Sequence, residues 1–527
     1  MLRSLVSSSR TVFKDFILIV LSCLLLRLSF PPWDFFFLSW FCFVPFLLVL
    51  DRKKPWGAFG AGYLMGILFF STTLYWFIHV TLPGVILIIL YLSLYFALFA
   101  LAYALLIPYT PQKIVGAKKQ INPQRSFWFE LILIPSLWVG LEYIRGHLFT
   151  GFGWVCLGHS QYKNLWISQV ADITGVGGVS FFIMLVNRVI TQWVVVCMIP
   201  KSKARPSLRH ESLAIGILIC LVLGYGLFRQ QQTDHEPEIS VAVVQANIPQ
   251  EEKWVRSNWP RIMQKYFDLT TRVSALQPRP ELILWPETAF PGFIWEAPDL
   301  FVDLKDLVID IKTPLLLGAV TQRQEQYYNS ALMISTQGQV SEQYDKLHLV
   351  PFGEYVPLRN VFPFLADIIP IGDFTPGDQY TIFFLPKSRE IRYSFSTMIC
   401  FEDTLPWIAR GFVQRGAQFL INITNDAWFL DTVAPWLHLQ ASVFRAIENH
   451  RTLIRAANTG VSCFIDPLGR IYKTLTNDRD KATFIEGIAA AKILLSSQKT
   501  IYTKIGDLFT HLCFGCILCG VLCKKRD

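Results

Sequence analysis

The sequence predicts an α-helical membrane bundle of eight transmembrane helices joined to an α/β domain. Three observations predict it. Of the 527 residues, 52% are hydrophobic and only 17% are charged, a balance that places much of the chain in lipid. Apolar segments approaching the roughly 20 residues that span a bilayer crowd residues 1–229 and recur once near the C-terminus. Between Ile239 and Ile493 no segment is long enough to span, and short apolar runs alternate there with amphipathic ones, as in an α/β domain with its own core.

In chain order the expected spans are Phe16 to Phe30, Phe35 to Leu50, Ala58 to Val80, Val85 to Pro108, Phe127 to Leu148, Val176 to Pro200, Ser212 to Phe228 and Ile505 to Cys523. The first is short and carries Arg27, but its many Leu, Ile, Val and Phe outweigh one Arg that can snorkel from near the helix end. Arg3, Arg10 and Lys14 precede an apolar run with no A-x-A-like cleavage site, so an uncleaved first helix is expected rather than a signal peptide.

Charged loops orient the bundle. Arg52, Lys53 and Lys54 follow the second segment, Lys113, Lys118, Lys119 and Arg125 the fourth, and Lys201, Lys203, Arg205 and Arg209 the sixth. Lys524, Lys525 and Arg526 end the chain. With eight spans all of these share the N-terminal side, whereas Thr81 to Gly84 holds no Lys or Arg and Thr150 to Gly175 only Lys163. The positive-inside rule then makes both termini cytoplasmic and puts the α/β region outside. These loops also account for the net charge of +9, and no nucleic-acid-binding motif accompanies it.

The expected domains are a membrane domain 1–229, a polar linker 230–238, an α/β domain 239–493, and a last helix with a basic tail, 494–527. Within the α/β domain, strands are expected at Ile239 to Val244, Leu282 to Trp285, Leu315 to Val320, Tyr328 to Ser335, Tyr393 to Ile399, Phe419 to Ile423 and Ser462 to Asp466. Helices are expected at Ile262 to Leu276, Leu300 to Ile311 and Ala434 to Glu448. Most of the eleven Cys lie in apolar helices, and only Cys400 and Cys463 lie in the polar region, which is no disulfide framework. Cys513, Cys516 and Cys519 recur every third residue and read as small packing residues rather than metal ligands.

Chemistry concentrates at three turns. YSFSTMICFEDTLP, Tyr393 to Pro406, delivers Cys400 to the end of an apolar strand; ELILWPETAFPG places Glu287 after another; and YDKLHLVPFGEYVP holds Lys346 and Glu354 in a punctuated loop. A lone Cys on an apolar run is ordinarily a buried structural residue. Here Glu, Lys and Cys follow in series, 59 and 54 residues apart. A carboxylate can take the thiol proton, an ammonium favours the thiolate, and Lys346 with the Phe401 N–H can face an oxyanion, so the indicated chemistry is acyl transfer through a thioester.

With VAVVQANIP at Val241 to Pro249, WPE at Trp285 to Glu287, YDKLHLVPFGEYVP at Tyr344 to Pro357, CFED at Cys400 to Asp403, NITNDAWF at Asn422 to Phe429 and RAANTGVSCFIDPLGR at Arg455 to Arg470, the domain resembles the nitrilase superfamily. FGEYVP and NDAWF resemble one branch of it, the apolipoprotein N-acyltransferases of bacterial membranes. That resemblance implies a four-layer αββα sandwich and a triad of Glu287, Lys346 and Cys400, with Glu354 orienting Lys346 and Glu402 in support. It also implies acceptor or lipid contact at Trp254. Phe401 departs from the Tyr found beside the nucleophile in better-known members, which affects a hydroxyl but not the backbone N–H. His348 and His438 are expected to be structural.

Outside that domain, LEYIRGHLFTGFGWVCLGHSQY, Leu141 to Tyr162, resembles the same branch. Glu142 and Arg145 there either pair with each other or leave Arg145 or His159 to meet a headgroup phosphate. Two apolar loops, Ala289 to Trp295 with Phe293 and Trp295, and Val361 to Phe374, are expected to reach the bilayer. The implied enzyme is a monomer of the bacterial cytoplasmic membrane with no metal or organic cofactor. It takes an acyl chain from a phospholipid and gives it to a diacylated apolipoprotein. The alternatives are a membrane-tethered nitrilase-like amidase and a non-catalytic lipid-binding or transport protein.

Overall fold

The computed structural model describes residues 2–107, 123–198, 205–232, 236–351, 353–355, 374–386 and 392–524. Contacts divide the chain into one unit of residues 1–231 with 505–527 and another of residues 232–504.

The first unit is helical: α1 (Leu2–Leu28), α2 (Val44–Leu50), α3 (Pro55–Thr73), α4 (Leu82–Leu106), α5 (Pro123–His147), α6 (Val176–Met198) and α7 (Arg205–Gln231). Pro55 and Pro83 sit in the first turns of α3 and α4, where the missing N–H forfeits no helical hydrogen bond. Among the described residues, three helical segments are long and apolar enough to cross a membrane: Leu82–Leu106, Val176–Met198 and Leu208–Gln231. Gly62 and Gly66 let α3 and α4 meet backbone to backbone. A Cβ on Gly62 would lie 2.4 Å from the Phe96 carbonyl oxygen, and one on Gly66 2.7 Å from the Ser93 Cα.

The expected second span is not one helix. Phe36–Trp40 forms a 3-10 turn and α2 begins afresh at Val44, with Pro45 in its first turn. The seven residues of α2 rise about 10 Å, a third of a hydrocarbon core of roughly 30 Å. The segment still doubles back along α1, because Asp15 meets Arg52 at 3.0 Å and Lys53 at 2.7 Å. Deeper in the unit Arg188 ties helices together: it meets Glu130 at 2.6 Å, Asp51 at 3.4 Å and the Tyr103 hydroxyl at 2.9 Å.

The second unit carries two six-stranded sheets. The first contains β1 (Glu238–Gln245), β2 (Leu282–Leu284), β3 (Leu315–Arg323), β4 (Gln326–Ile334) and β5 (Val340–Asp345). In the second are β6 (Phe383–Pro386), β7 (Arg392–Ile399), β8 (Phe419–Thr424), β9 (Leu453–Ala457), β10 (Cys463–Ile465) and β11 (Ile471–Thr474). The last strand, β12 (Gly487–Leu494), returns to the first sheet and pairs antiparallel with β1, giving the order β12-β1-β2-β3-β4-β5; the other sheet runs β11-β10-β9-β8-β7-β6. Among the described strands of the two sheets, β1-β2-β3 and β7-β8-β9 pair in parallel.

Helices α8 (Trp259–Ser274) and α9 (Pro298–Ile311) cover the first sheet, where Ile262, Tyr266, Leu304 and Val308 join Ala242, Val244, Ile283 and Leu317 in one core. On the second sheet α10 (Pro406–Gln414) packs on β7 and α11 (Ala434–Asn449) on β9, while β1 and β4 of one sheet touch β9 and β7 of the other. The result is a helix–sheet–sheet–helix sandwich. The final helix, α12 (Leu508–Lys524), belongs to the first unit.

Candidate active site

Three strand exits converge. Trp285 anchors the first: its ring stacks on Tyr266 at 4.5 Å and its indole N–H donates to Thr270 at 2.9 Å, fixing β2 against α8 immediately before the turn. Glu287 follows, pressed against β3 where a Cβ on Gly318 would lie 2.6 Å from the Glu287 Cα and 2.6 Å from the Thr288 nitrogen. Only glycine admits that approach. Lys346 leaves β5 with its N–H on the Asn329 carbonyl at 2.9 Å. Cys400 leaves β7 at φ 53°, in the left-handed region, and opens the 3-10 turn Cys400–Thr404. Its carbonyl accepts the Asn422 amide at 3.0 Å and lies 3.2 Å from His438 Nε2. That conformation costs a non-glycine residue about 1–2 kcal/mol and is held by such bonds.

At the centre, Lys346 is 1% exposed, with Nζ 2.9 Å from the Glu354 carboxylate and 3.7 Å from Glu287. Asn329 bridges the two acids, donating at 2.8 Å to Glu287 and 2.7 Å to Glu354, and the Asn425 N–H donates to the other Glu287 oxygen at 2.9 Å. Burial works against the Lys346 charge, but Glu354 and then Glu287 more than offset it, so its pKa is raised and it stays an ammonium. Burial raises the pKa of Glu287, and Glu354 adds to that, while Lys346, the Asn329 bond and Lys253 oppose it. Burial and Glu287 push the Cys400 thiol well above its ordinary range, against Lys346 and a hydrogen bond with Thr424. The resting site therefore holds a neutral thiol beside a carboxylate of raised basicity.

Glu402 does not face that cluster as a free acid. Its carboxylate accepts the Ile399 N–H at 2.7 Å, the Leu347 N–H at 2.8 Å, the His348 N–H at 3.1 Å and the Tyr344 hydroxyl at 2.8 Å. It thus ties the strand end before the nucleophile to the loop after Lys346. Burial raises its pKa to about 7 in spite of these donors. The Phe401 ring stacks over His348 at 6.1 Å. Beneath the nucleophile His438 lies between Asp403 at 2.8 Å and Asp426 at 3.1 Å, and Arg455 donates to Asp403 at 2.8 Å. Burial opposes the imidazolium, but Asp403 and Asp426 together raise the His438 pKa to about 9.

An aromatic patch lies in the same unit. Trp254 is 45% exposed with its ring 6.1 Å from Phe293, which stacks on Trp295 at 4.7 Å; Tyr327 lies 5.8 Å from Trp295. The loop from Ala289 is therefore divided. Ala289 and Phe290 are 1% exposed and belong to the core, whereas Trp295 is 40% exposed. Of the second expected apolar loop, 361–373 lies outside the described residues. Among the described residues no group of three or more His, Cys, Asp or Glu is arranged to hold a metal ion.

Residues 22–189 match the family model of the apolipoprotein N-acyltransferase N-terminal domain, and residues 240–495 match that of carbon-nitrogen hydrolase. The apolipoprotein N-acyltransferase of Geobacter metallireducens is 35% identical over 533 residues, 97% of this chain and 96% of the relative. The chain belongs to the apolipoprotein N-acyltransferase family. The apolipoprotein N-acyltransferase of Chlorobaculum tepidum is 31% identical over 545 residues, covering 98% of this chain and 97% of its own. Among solved structures, Saccharomyces cerevisiae Nit3, a member of branch 10 of the nitrilase superfamily, aligns with 52% of this chain and 97% of its own at 17% identity and a TM-score of 0.37.

Within the region matched by the N-terminal acyltransferase domain, Arg145 is 4% exposed and turns onto its own loop, donating to the Trp154 carbonyl at 3.0 Å and the Cys156 sulfur at 3.3 Å. Glu142 accepts the Leu157 N–H at 2.6 Å. Each of the two residues thereby fastens the helix exit to the turn, Arg145 through Trp154 and Cys156 and Glu142 through Leu157. Sequence reasoning missed Asn329, Asn425, Thr424, Tyr344 and Lys253. Their partners lie far along the chain, and the available signals were the run of polar residues Thr424 to Asp426 directly after the apolar start of a strand and the Lys beside Trp254.

Proposed function

We propose that this protein transfers an acyl chain from a membrane phospholipid, through a thioester on Cys400, to the α-amino group of the diacylglyceryl-cysteine of an apolipoprotein. The observation that carries the reading is the meeting of Glu287, Lys346 and Cys400 at three strand exits, in a chain whose helical half matches the acyltransferase N-terminal domain. A free-standing amidase has no use for that half.

Glu287 takes the Cys400 proton as sulfur attacks the ester carbonyl, and returns it to the glycerol oxygen as the carbon–oxygen bond breaks and lysophospholipid leaves. The neutral amine then attacks the thioester, Glu287 accepts the amine proton as the carbon–nitrogen bond forms, and passes it to sulfur as the carbon–sulfur bond breaks, which leaves the amide and restores both the thiol and the carboxylate. Lys346 and the Phe401 N–H face the oxyanion in both halves, a role in which one donor is worth about 3–4 kcal/mol. Glu354 holds Lys346, and Glu402 sets the distance between the Lys346 loop and the nucleophile turn. Trp254, Phe293 and Trp295 form an apolar platform for the lipid chains. Arg145 supports its loop.

The helices lie in the bacterial cytoplasmic membrane, with both termini cytoplasmic and the sandwich on the outer face. The return of Arg52 and Lys53 to Asp15 supports a common side for the first two basic segments. The broken second segment enters as part of a helical hairpin with α1, so the eight-span topology requires that pair to cross together. The enzyme works as a monomer.

The test is acylation of purified protein by labelled phospholipid, with and without a diacylated lipopeptide. Label should reach Cys400 and pass to the lipopeptide amine without bulk hydrolysis. Cys400→Ala should abolish the adduct, and Cys463→Ala, at a buried strand position whose thiol burial raises to about 12, should retain it. Hydrolysis unaffected by the lipopeptide would favour the amidase, and a missing adduct would remove the enzyme reading.

A further inference from the structure

Among the described residues of the second unit, the steps above leave unused a buried cation that touches the Glu287 turn. Lys253 closes the helical turn Gln250–Lys253, is 1% exposed, and has its carbonyl fixed by the Trp259 indole N–H at 3.0 Å. Its Nζ lies 3.2 Å from Thr288 Oγ1 and 3.4 Å from the Glu287 carbonyl oxygen. Thr288 is at φ 45°, a left-handed conformation that a β-branched residue adopts only under constraint. Gly318 presses on this turn from β3, and Lys253 supplies donors to it.

A methionine would fill such a space without the cost of burying an ammonium. Burial lowers the Lys253 pKa to about 7, against the pull of Glu287. A lysine kept there is therefore expected to act through its charge and its N–H groups.

We propose that Lys253 is a positioning residue for the general base, bracing the Glu287–Thr288 turn through its two hydrogen bonds and adding a second cation to Lys346 in the field of the Glu287 carboxylate. The inference rests on the assignment of Glu287 as base. Among the described residues, the charged and titratable groups that act on Glu287 are Lys346, Glu354, Lys253 and Cys400, with neutral donors from Asn329 and the Asn425 main chain. Lys253 in turn meets Glu287 as its charged neighbour and Thr288 as its neutral one. In the acid range where a carboxylate titrates, Lys253 carries its proton and holds the Glu287 pKa down. Removing that cation raises the Glu287 pKa, so the base becomes competent only at higher pH.

Alkylation of Cys400 by iodoacetamide, followed on the Cys400 peptide by mass spectrometry across pH in the full-length protein, reads this coupling without any acyl donor. Lys253→Met should move the acid limb up by about one pH unit and slow alkylation below the limb about tenfold, and Lys253→Arg should return the limb toward its wild-type position. Thr288→Ala, which removes one acceptor and spares the charge, should slow alkylation and leave the limb in place. A wild-type limb and rate in Lys253→Met would overturn the proposal, as would an equal shift in Lys253→Arg. Should Lys253→Met not fold, an unaltered rate in Thr288→Ala would overturn it. Loss of acyl transfer to lipopeptide while the limb still moves would count against the acceptor chemistry and leave the role of Lys253 standing.

Discussion

Lys346 stands closer to Glu354, at 2.9 Å, than to Glu287, at 3.7 Å. The base is thereby spared a full ion pair, which would depress its pKa and weaken it.

Replacing Glu354 with Gln removes one negative charge from beside Glu287 and frees Lys346 to approach it. Both changes lower the Glu287 pKa, so the acid limb of single-turnover acylation should move to lower pH. The plateau rate should fall by about 10²-fold, the low end of what general-base catalysis supplies. Stopped acylation with labelled phospholipid across pH measures both, and a limb that stays put would refute the division of labour between the two acids.

Glu402→Gln turns an acceptor-only carboxylate into a group that offers an NH2 to buried N–H donors. With four donors converging on it, the unmade bonds should cost about 1–3 kcal/mol. The melting temperature should drop together with the acylation rate, because the Lys346 loop is released from the nucleophile turn. Unchanged melting with lost activity would instead make Glu402 a participant in the chemistry.

His438 has a folded pKa near 9 against an ordinary 6.5. A raised pKa means that the protonated form is favoured by folding, so the stabilisation is complete below pH 6.5 and is lost as pH rises through 9. The shift corresponds to about 3 kcal/mol. Chemical denaturation of wild type and His438→Asn between these limits should converge toward high pH, and parallel curves would show that the imidazole does not titrate there.

Trp295→Glu and Phe290→Ala separate the surface of the aromatic loop from its root. The first changes a 40% exposed ring, and it should shift stability by only about 0.5 kcal/mol while slowing transfer from phospholipid vesicles. The second removes a ring that is 1% exposed and should cost about 3–5 kcal/mol. Equal destabilisation by the two would place Trp295 in the core.

The exits of β2 and β7 were legible because each combines an apolar run with a Pro-marked turn, whereas Lys346 stood out only through the Pro- and Gly-punctuated loop that follows it. Expected strands near β1, β2, β3, β4, β7, β8 and β10 correspond to observed ones. Of the five strands not foreseen, β5, β6, β9, β11 and β12, three have particular causes. β12 contains the run Ala489 to Ala491, which carries little β preference, and is defined by its register with β1. β9 reads LIRAA because Arg455 is neutralised by Asp403, a partner 52 residues away. β5 is a polar edge strand. In the helical half, hydropathy could not show that Phe35 to Leu50 breaks, since the break lies between equally apolar stretches. Supporting groups such as Asn329 and Asn425 meet Glu287 across 42 and 138 residues, a distance over which no local pattern carries.

The left-handed backbone of Cys400 has a practical consequence for anyone who wants an inert version of this protein. Alanine, the usual replacement, inherits the same unfavourable φ, whereas glycine adopts it freely. At most positions glycine loosens a fold by about 0.5–1 kcal/mol relative to alanine, but at residue 400, with φ 53°, the order should be reversed. Here the demand for sulfur and the preference of the polypeptide conflict, and the inactive Cys400→Gly form should outlast Cys400→Ala in a thermal challenge.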